Sequence, residues 1–361
     1  MKRAISLAVM VLMMSATAAF ADDPQPNDAL RDGVKRAADL QLSRQGTYTN
    51  GDLGSGTYEC AWEWIIDSGL AFRNTQAPSA LGLLAAYEAT GKVKYLISGS
   101  EGAVCAANQM IARYDADTSR RPFAQDLIFL AELSELTHNR GYLDLARTYH
   151  ARTRAAYPTG GALADHYIDV RQSLGGWDLS AEILGAVAVG QDDYAEEIAL
   201  RLIARRADWE GVLYGGYDYS LLSHGWLVAA LDGMRGNVIK AYRKEITASV
   251  LSAQAIDGSW DHGSFQTTAY VLMGLETLSR SHDVRHAIKG GANFLLSTET
   301  AAGGWSYPPE FGEDNGEVLS ALAPLLRNRG HDDDCGKEFE GPHEHGDRDS
   351  HERARPHRDN D

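Results

Sequence analysis

Apolar residues in this chain recur at three- and four-residue intervals and almost never alternate, so the pattern predicts helices along most of its length. From Asn27 to Gln45, the residues Leu30, Val34, Ala37, Ala38 and Leu42 fall on one face. Gly46 to Tyr58 is rich in Gly, Thr and Asn and is expected to be a loop. Pro78 is placed to open a helix that stops at Gly91, with Tyr95–Tyr114 as its partner. Pro122 precedes a helix over Ala124–His138, paired with Tyr142–Tyr157. Further helices are expected over Ser180–Val189, Tyr194–Ala207, Ser220–Asp232, Asn237–Ala253, Phe265–Ser281, Val284–Thr298 and Gly316–Arg327.

The second half repeats. Gly176-Trp177-Asp178, Gly216-Tyr217-Asp218, Ser259-Trp260-Asp261 and Gly304-Trp305-Ser306 have aromatic positions 40, 43 and 45 residues apart. Each precedes an Ala/Leu/Gly-rich stretch, such as Leu184-Gly185-Ala186-Val187 or Val271-Leu272-Met273-Gly274-Leu275. A period of roughly 40–50 residues suits one helical hairpin per repeat. The expected fold class is all-α: a single α/α toroid of about six helical hairpins, with an open superhelix of hairpins as the competitor. Small, apolar segments such as Leu81–Ala86 and Ile183–Val187 suit inner helices, and the polar Lys240–Glu245 suits an outer one.

Composition adds a compartment and removes one class of partner. Lys2 and Arg3, the apolar run Ala4–Met14 and Ala19-Phe20-Ala21 read as a cleaved Sec-type signal peptide over residues 1–21. A periplasmic or secreted bacterial protein is expected, with a toroid domain over 22–327 and no transmembrane segment in the mature chain. Residues 328–361 are acidic, contain histidines and bury little, so a disordered tail is expected there. Its histidines show no fixed metal-ligand spacing. Asp and Glu number 50 against 34 Lys and Arg, which argues against nucleic acid. A small molecule, a glycan or a protein remains as ligand. Cys60 and Cys105 can pair in an oxidising compartment or be two small buried side chains, and Cys335 is left over in the tail.

Gln254-Ala255-Ile256-Asp257-Gly258-Ser259-Trp260 resembles the Gln-x-x-Asp/Glu-Gly-x-Trp repeat of the squalene cyclase and protein prenyltransferase superfamily. Thr268–Leu275 is similar to that family's inner helix, and Gly303–Tyr307 and Gly175–Asp178 resemble copies without the leading Gln. The resemblance covers about Gly175 to Arg327. It implies a terpenoid cyclase-like α/α toroid in which Gln254 caps a helix end and stacks on Trp260. The cyclases that protonate an isoprenoid carry Asp-x-Asp-Asp-Thr; the nearest sequence here, Asp115-Ala116-Asp117-Thr118, lacks one aspartate. No cysteine falls in the matched repeats to supply the zinc site of the prenyltransferases.

Asp178, Asp218 and Asp261 each follow a repeat aromatic, so they are expected at one end of the toroid, with Glu310, Glu313 and Asp314 in the matching last loop. Carboxylates around one mouth can supply the acid and base of glycoside cleavage, or hold a Ca2+ that neutralises a uronate. His262 and His224 can act as bases near neutral pH. Trp62, Trp64, Tyr214, Tyr217, Tyr219 and Tyr307 can stack on a ligand. The structural alternatives are helix N-caps for the three aspartates, hydrogen-bonded structural histidines, and core positions for Trp177, Trp260 and Trp305. Gly303–Pro308 is also loosely similar to a Gly-Gly-Trp-Pro loop of one pectate lyase family. The expected function is thus a secreted toroid binding a ligand or partner in its central cavity. The alternatives are a carbohydrate-active enzyme (polysaccharide lyase or glycoside hydrolase) using loop carboxylates, or an isoprenoid-handling protein.

Overall fold

The computed structural model describes residues 25–52, 56–97, 101–278, 281–305 and 310–329. The segment read from sequence as a signal peptide, Tyr307, Cys335 and the residues beyond Arg329 lie outside the described residues.

Fourteen α-helices are found among the described residues. They are α1 (Gln25–Ser43), α2 (Arg73–Thr90), α3 (Val93–Leu96), α4 (Ala103–Ala116), α5 (Ala124–Thr137), α6 (Gly141–Ala156) and α7 (Gly160–Arg171). The second half holds α8 (Ser173–Ala188), α9 (Asp192–Ala204), α10 (Ser220–Ala230), α11 (Asn237–Ser252), α12 (Phe265–Glu276), α13 (His282–Thr298) and α14 (Gly312–Arg329). Six of them form a closed inner ring in the order α2–α5–α8–α10–α12–α14, with α14 packed back on α2. Outside it, α9, α11 and α13 each back the inner helix that precedes them in sequence, α1 lies against α2 and α14, α4 lies against α2 and α5, and α6 and α7 share the third outer position, against α5 and α8. Six outer–inner pairs therefore close into an α/α toroid.

The inner helices are rich in small residues because their backbones nearly touch. A Cβ on Gly82 would lie 2.6 Å from the carbonyl oxygen of Gly316, and one on Gly274 would run into that of Gly225. These glycines form the α2–α14 and α10–α12 seams. The outer helices carry one apolar stripe each; in α11, Ile239, Tyr242, Ile246 and Val250 are buried and the rest faces outward.

A tryptophan fastens each of four pairs. Trp62, Trp209, Trp260 and Trp305 are fully buried. Their indole N–H groups donate to carbonyls near the ends of the preceding outer helices: Gln41 (2.7 Å), Leu202 (3.1 Å), Val250 (2.8 Å) and Leu295 (2.6 Å). Such bonds satisfy carbonyls a helix end leaves orphaned. The structural repeat therefore differs from the spacing read in sequence: Trp209 occupies the place assigned to Tyr217, and Trp177 lies inside α8. The extra helix α7, capped by Thr159 through Ala162 N–H, displaces the alignment there. Gln254 ties neighbouring pairs together by donating to Gly258 O and Ala287 O, both at 2.9 Å.

Other boundaries moved for local reasons. The stretch expected to be a loop after α1 holds β1 (Gly46–Asn50), which pairs antiparallel with β2 (Thr57–Ala61) and parallel with β3 (Leu70–Ala71). Pro78 does not open α2 but sits inside it, one turn after its start. The helix expected over Tyr95–Tyr114 is broken into α3 and α4, with Gly102 at φ 88° before α4. Cys60 of β2 and Cys105 of α4 form a disulfide with Cα atoms 5.8 Å apart. No helix among the described residues is long and apolar enough to cross a membrane.

Candidate functional site

Each inner helix follows an outer one across a turn, so all six run the same way and their N-terminal ends surround one mouth. Their first two to three turns carry polar and aromatic side chains where the rest of the ring is apolar. Tyr270 of α12, fully buried, is the hub. Its hydroxyl donates to Glu317 Oε1 of α14 (2.6 Å) and accepts from Gln125 Nε2 of α5 (3.3 Å). The helices α5 and α12 face each other across the ring, so this contact crosses the axis. Trp226 of α10 and Trp177 of α8 complete the cluster, with ring centroids 4.5 Å and 5.9 Å from that of Tyr270. The axis is therefore filled at this level, and the central cavity expected from sequence is closed there. Glu313, Asp314, Trp177 and Trp64 retain partial exposure above it.

Two groups of carboxyls flank this hub on opposite inner helices. On α14, Glu313, Asp314 and Glu317 fall within two turns. Burial pushes Glu313 up to about 8, with the Asp314 charge adding to it. Burial raises Asp314 to about 7, and raises Glu317 well above the carboxylate range. No cation is among the groups that perturb them. Their partners are neutral: Asn74 donates to Glu313 (3.4 Å), and Gln266 and Tyr270 donate to Glu317 Oε1 (3.3 and 2.6 Å). Glu317 Oε2 is buried without a hydrogen-bond partner among the described residues. Like charges four residues apart on one helix face repel, which favours the protonated forms further.

On α8, Asp178 and Glu182 are buried too, and burial raises them to about 6 and about 7. Here arginines oppose the shift. Arg171 pairs with Asp178 at 3.0 Å, and Arg121 lies 4.0 Å from Glu182. Arg121 also donates to the hydroxyl of Tyr167, which donates to Glu182, both at 3.0 Å.

The residues singled out from sequence are dispersed. Asp178 faces the mouth from within α8 rather than from a loop, and its ion pair with Arg171 replaces the expected capping role. Asp218 is exposed and turns back on its own loop, accepting from Ser220 N–H (2.9 Å) and Oγ (2.6 Å). Asp261 is exposed, accepts from Thr267 Oγ1 at 3.2 Å, and leaves the capping of α12 to Ser264. His262 is exposed in a left-handed turn (φ 56°). His224 lies away from the axis, with Nε2 3.3 Å from Glu210 and its ring packed on Trp209 and Tyr242. Trp62, buried and bonded to Gln41, has no face free for a ligand. Trp64 does border the mouth, packed on Phe72 and Phe311 with centroids 5.2 and 5.6 Å away. Glu310 is held by Arg44 at 2.6 Å. Tyr217 is exposed on the rim. The Asp115–Asp117 fragment ends the outer helix α4, outside the inner ring.

Sequence reasoning passed over Glu317, Glu182, Tyr270, Gln125 and Gln266. The signal was an acidic residue within an otherwise apolar inner-helix stretch, since a Glu or Asp buried among Ala and Leu needs a reason. Among the described residues, no three His, Cys, Asp or Glu side chains converge to hold a metal ion. A polar groove of about 510 Å3 opens between the end of α6 and the start of α9, but its carboxylates Asp192, Asp193 and Glu197 are exposed.

No family model matches the sequence, and no curated protein matches it either. Solved structures do match in fold. A possible member of the GH105 family from Klebsiella pneumoniae aligns with a TM-score of 0.54 at 14% identity, over 86% of this chain and 95% of that one. A second possible GH105 member, from Salmonella enterica, aligns with a TM-score of 0.52 at 14% identity, over 86% and 98%. The type II terpene cyclase MstE from Scytonema, in complex with its product merosterolic acid A, aligns with a TM-score of 0.53 at 15% identity, over 85% and 100%. At such identities the likeness is one of fold alone: an α/α toroid, the architecture that the repeat motif implied.

Proposed function

We propose that this chain is an exported carbohydrate-active enzyme that binds a glycan at the mouth of the toroid and cleaves it by general acid–base catalysis. The observation that carries the reading is the cation-free carboxyl trio on α14, beside a mouth bordered by aromatic rings. A carboxyl that stays protonated near pH 7 can hand its proton to a departing glycosidic oxygen. Glu313 and Asp314 are the partly accessible members of the trio, and Glu313, raised the further of the two, takes the donor role. Asp178, kept more acidic by Arg171, takes the base role. As the glycosidic C–O bond breaks, the leaving oxygen takes the Glu313 proton. A water oxygen bonds to the anomeric carbon and gives its proton to Asp178. Trp64 and Trp177 provide stacking faces. The likeness to the possible GH105 members supports this use of the scaffold. The Cys60–Cys105 disulfide and the leader-like start of the sequence support export.

A second reading rests on the aromatic trio Trp177, Trp226 and Tyr270: a neutral carboxylic acid beside such a wall can also protonate an isoprenoid, and one fold match is a type II terpene cyclase. One experiment separates the two. The purified protein is incubated with acidic and neutral oligosaccharides, and separately with polyprenyl substrates, and products are read by mass spectrometry. New reducing ends that disappear in Glu313→Gln support the glycan reading. Cyclised isoprenoid products, with oligosaccharides untouched, replace it with the second.

A further inference from the structure

One rim element is not used by the acid–base chemistry. Between the 3₁₀ turn at Arg206–Asp208 and α10, the chain doubles back in a tight hairpin. Tyr214 N–H bonds Tyr217 O at 2.8 Å, and Tyr217 N–H bonds Tyr214 O at 3.0 Å. The two residues between them are Gly215 (φ 60°) and Gly216 (φ 92°). Left-handed backbone at both central positions is what a two-residue hairpin of this twist demands, and glycine adopts it without strain. The turn is therefore stiff, and at its end Tyr217 is 71% exposed.

A lone exposed aromatic needs no explanation. This one belongs to a line of rings leading to the mouth. Tyr219 lies 6.2 Å from Tyr217 and 6.4 Å from Tyr214, centroid to centroid. The Arg171 guanidinium sits 5.3 Å from the Tyr214 ring and reaches Asp178 at 3.0 Å. Tyr219 N–H donates to Ser173 Oγ at the start of α8 (3.1 Å), which fixes the shelf to the inner ring. The rings and the carboxyl are thus continuous through a single arginine.

We infer that Tyr217, with Tyr219 and Tyr214, forms a stacking subsite for a sugar ring outside the mouth, so that the ligand is an oligosaccharide chain running over the rim rather than a single sugar. The inference rests on the glycan reading above. A pyranose presents a face of C–H groups that packs on an aromatic ring, and a rigid tyrosine offers that face with little ordering cost. Arg171 is then shared between the base and the shelf, which couples occupancy of the rim to the position of Asp178.

The test is isothermal titration of the full chain with galacturonate and cello-oligosaccharides of two to six residues, comparing wild type with Tyr217→Ala and Tyr217→Trp. In the series that binds, affinity should rise with length in the wild type. Tyr217→Ala should weaken hexasaccharide binding about 3–10-fold, the worth of one aromatic face, and Tyr217→Trp should restore it. A wild type that binds sugars without length dependence, or an alanine variant that keeps that dependence, overturns the shelf while leaving the glycan reading in place. A wild type that binds neither series removes the glycan reading and the shelf with it.

Discussion

The helices α8 and α14 stand across the ring from each other and both bury acidic residues at the mouth, yet they resolve the cost of burial in opposite ways. On α8, two arginines stand beside the carboxyls and hold them at about 6 and 7. On α14, the partners among the described residues are amides and a phenol, so burial and mutual repulsion carry Glu313 to about 8. Removing an isolated carboxylate from water costs far more than protonating it. Glu313 and Glu317 therefore keep their protons near pH 7, while Asp178 keeps most of its charge. Opposite ends of an acid–base pair need this difference, and it is set by the neighbours rather than by the residue type.

The largest expected effect comes from removing the acid. Glu313→Gln keeps shape and neutrality, so the protein should fold normally while kcat falls by about 100–10,000-fold. Undiminished turnover by that variant would sink the donor assignment.

Next is the dependence of stability on pH. A carboxyl with a folded value above its unfolded one binds its proton more tightly in the native state. Its contribution is complete below the unfolded value of 4.5 and is lost as pH rises towards about 8. The melting temperature should therefore fall between pH 5 and pH 8, on the order of 1–3 kcal/mol in stability. The fall should be reduced in the double variant Glu313→Gln, Glu317→Gln. A flat wild-type profile would mean that α14 is as well compensated as α8.

A smaller change should make α8 behave like α14. Arg121→Met takes the cation from Glu182, at an expected cost of about 1–3 kcal/mol at pH 8. The cost should shrink on acidification, because a protonated Glu182 no longer needs the arginine; chemical denaturation at pH 6 and pH 8 reads the difference. An equal loss at both values would argue instead for lost packing of the Arg121 guanidinium on the rings of Tyr157 and Tyr167, 5.2 and 5.3 Å away. A comparable or smaller effect belongs to Tyr270→Phe, about 1–3 kcal/mol for the bond to Glu317 and the bond from Gln125 together. By removing a donor to Glu317, it should also move the pH midpoint of the stability loss upwards. A midpoint that stays in place would show that Tyr270 does not govern that carboxyl.

The toroid was legible because its hairpins impose a period and its inner helices impose small residues. The glycines of the α2–α14 and α10–α12 seams are visible in sequence as Gly82, Gly225, Gly274 and Gly316. The site was only half legible. Reading the repeat by aromatic spacing placed Trp177 with the core tryptophans and put Asp178, Asp218 and Asp261 in equivalent places; Trp209 in fact holds a core position, and only Asp178 turns inward. Starting the last helix at Gly316 rather than Gly312 left Glu313 and Asp314 in a loop and hid their shared face with Glu317. Cross-ring contacts such as Gln125 with Tyr270 have no local signature, since they join residues far apart in the chain.

The closure of the ring has a consequence for how the chain folds. An open superhelix gains its contacts locally and can fray from either end. In this toroid the α2–α14 seam joins residues separated by most of the described chain, and such contacts form late because the intervening loop must first be closed. Glu313 and Glu317 sit on that last helix, and their partners Asn74, Gln266 and Tyr270 wait on α2 and α12. The carboxyls therefore lack their burial and their neutral partners in a partly folded ring, and the proposed proton donor is assembled only when the final helix docks.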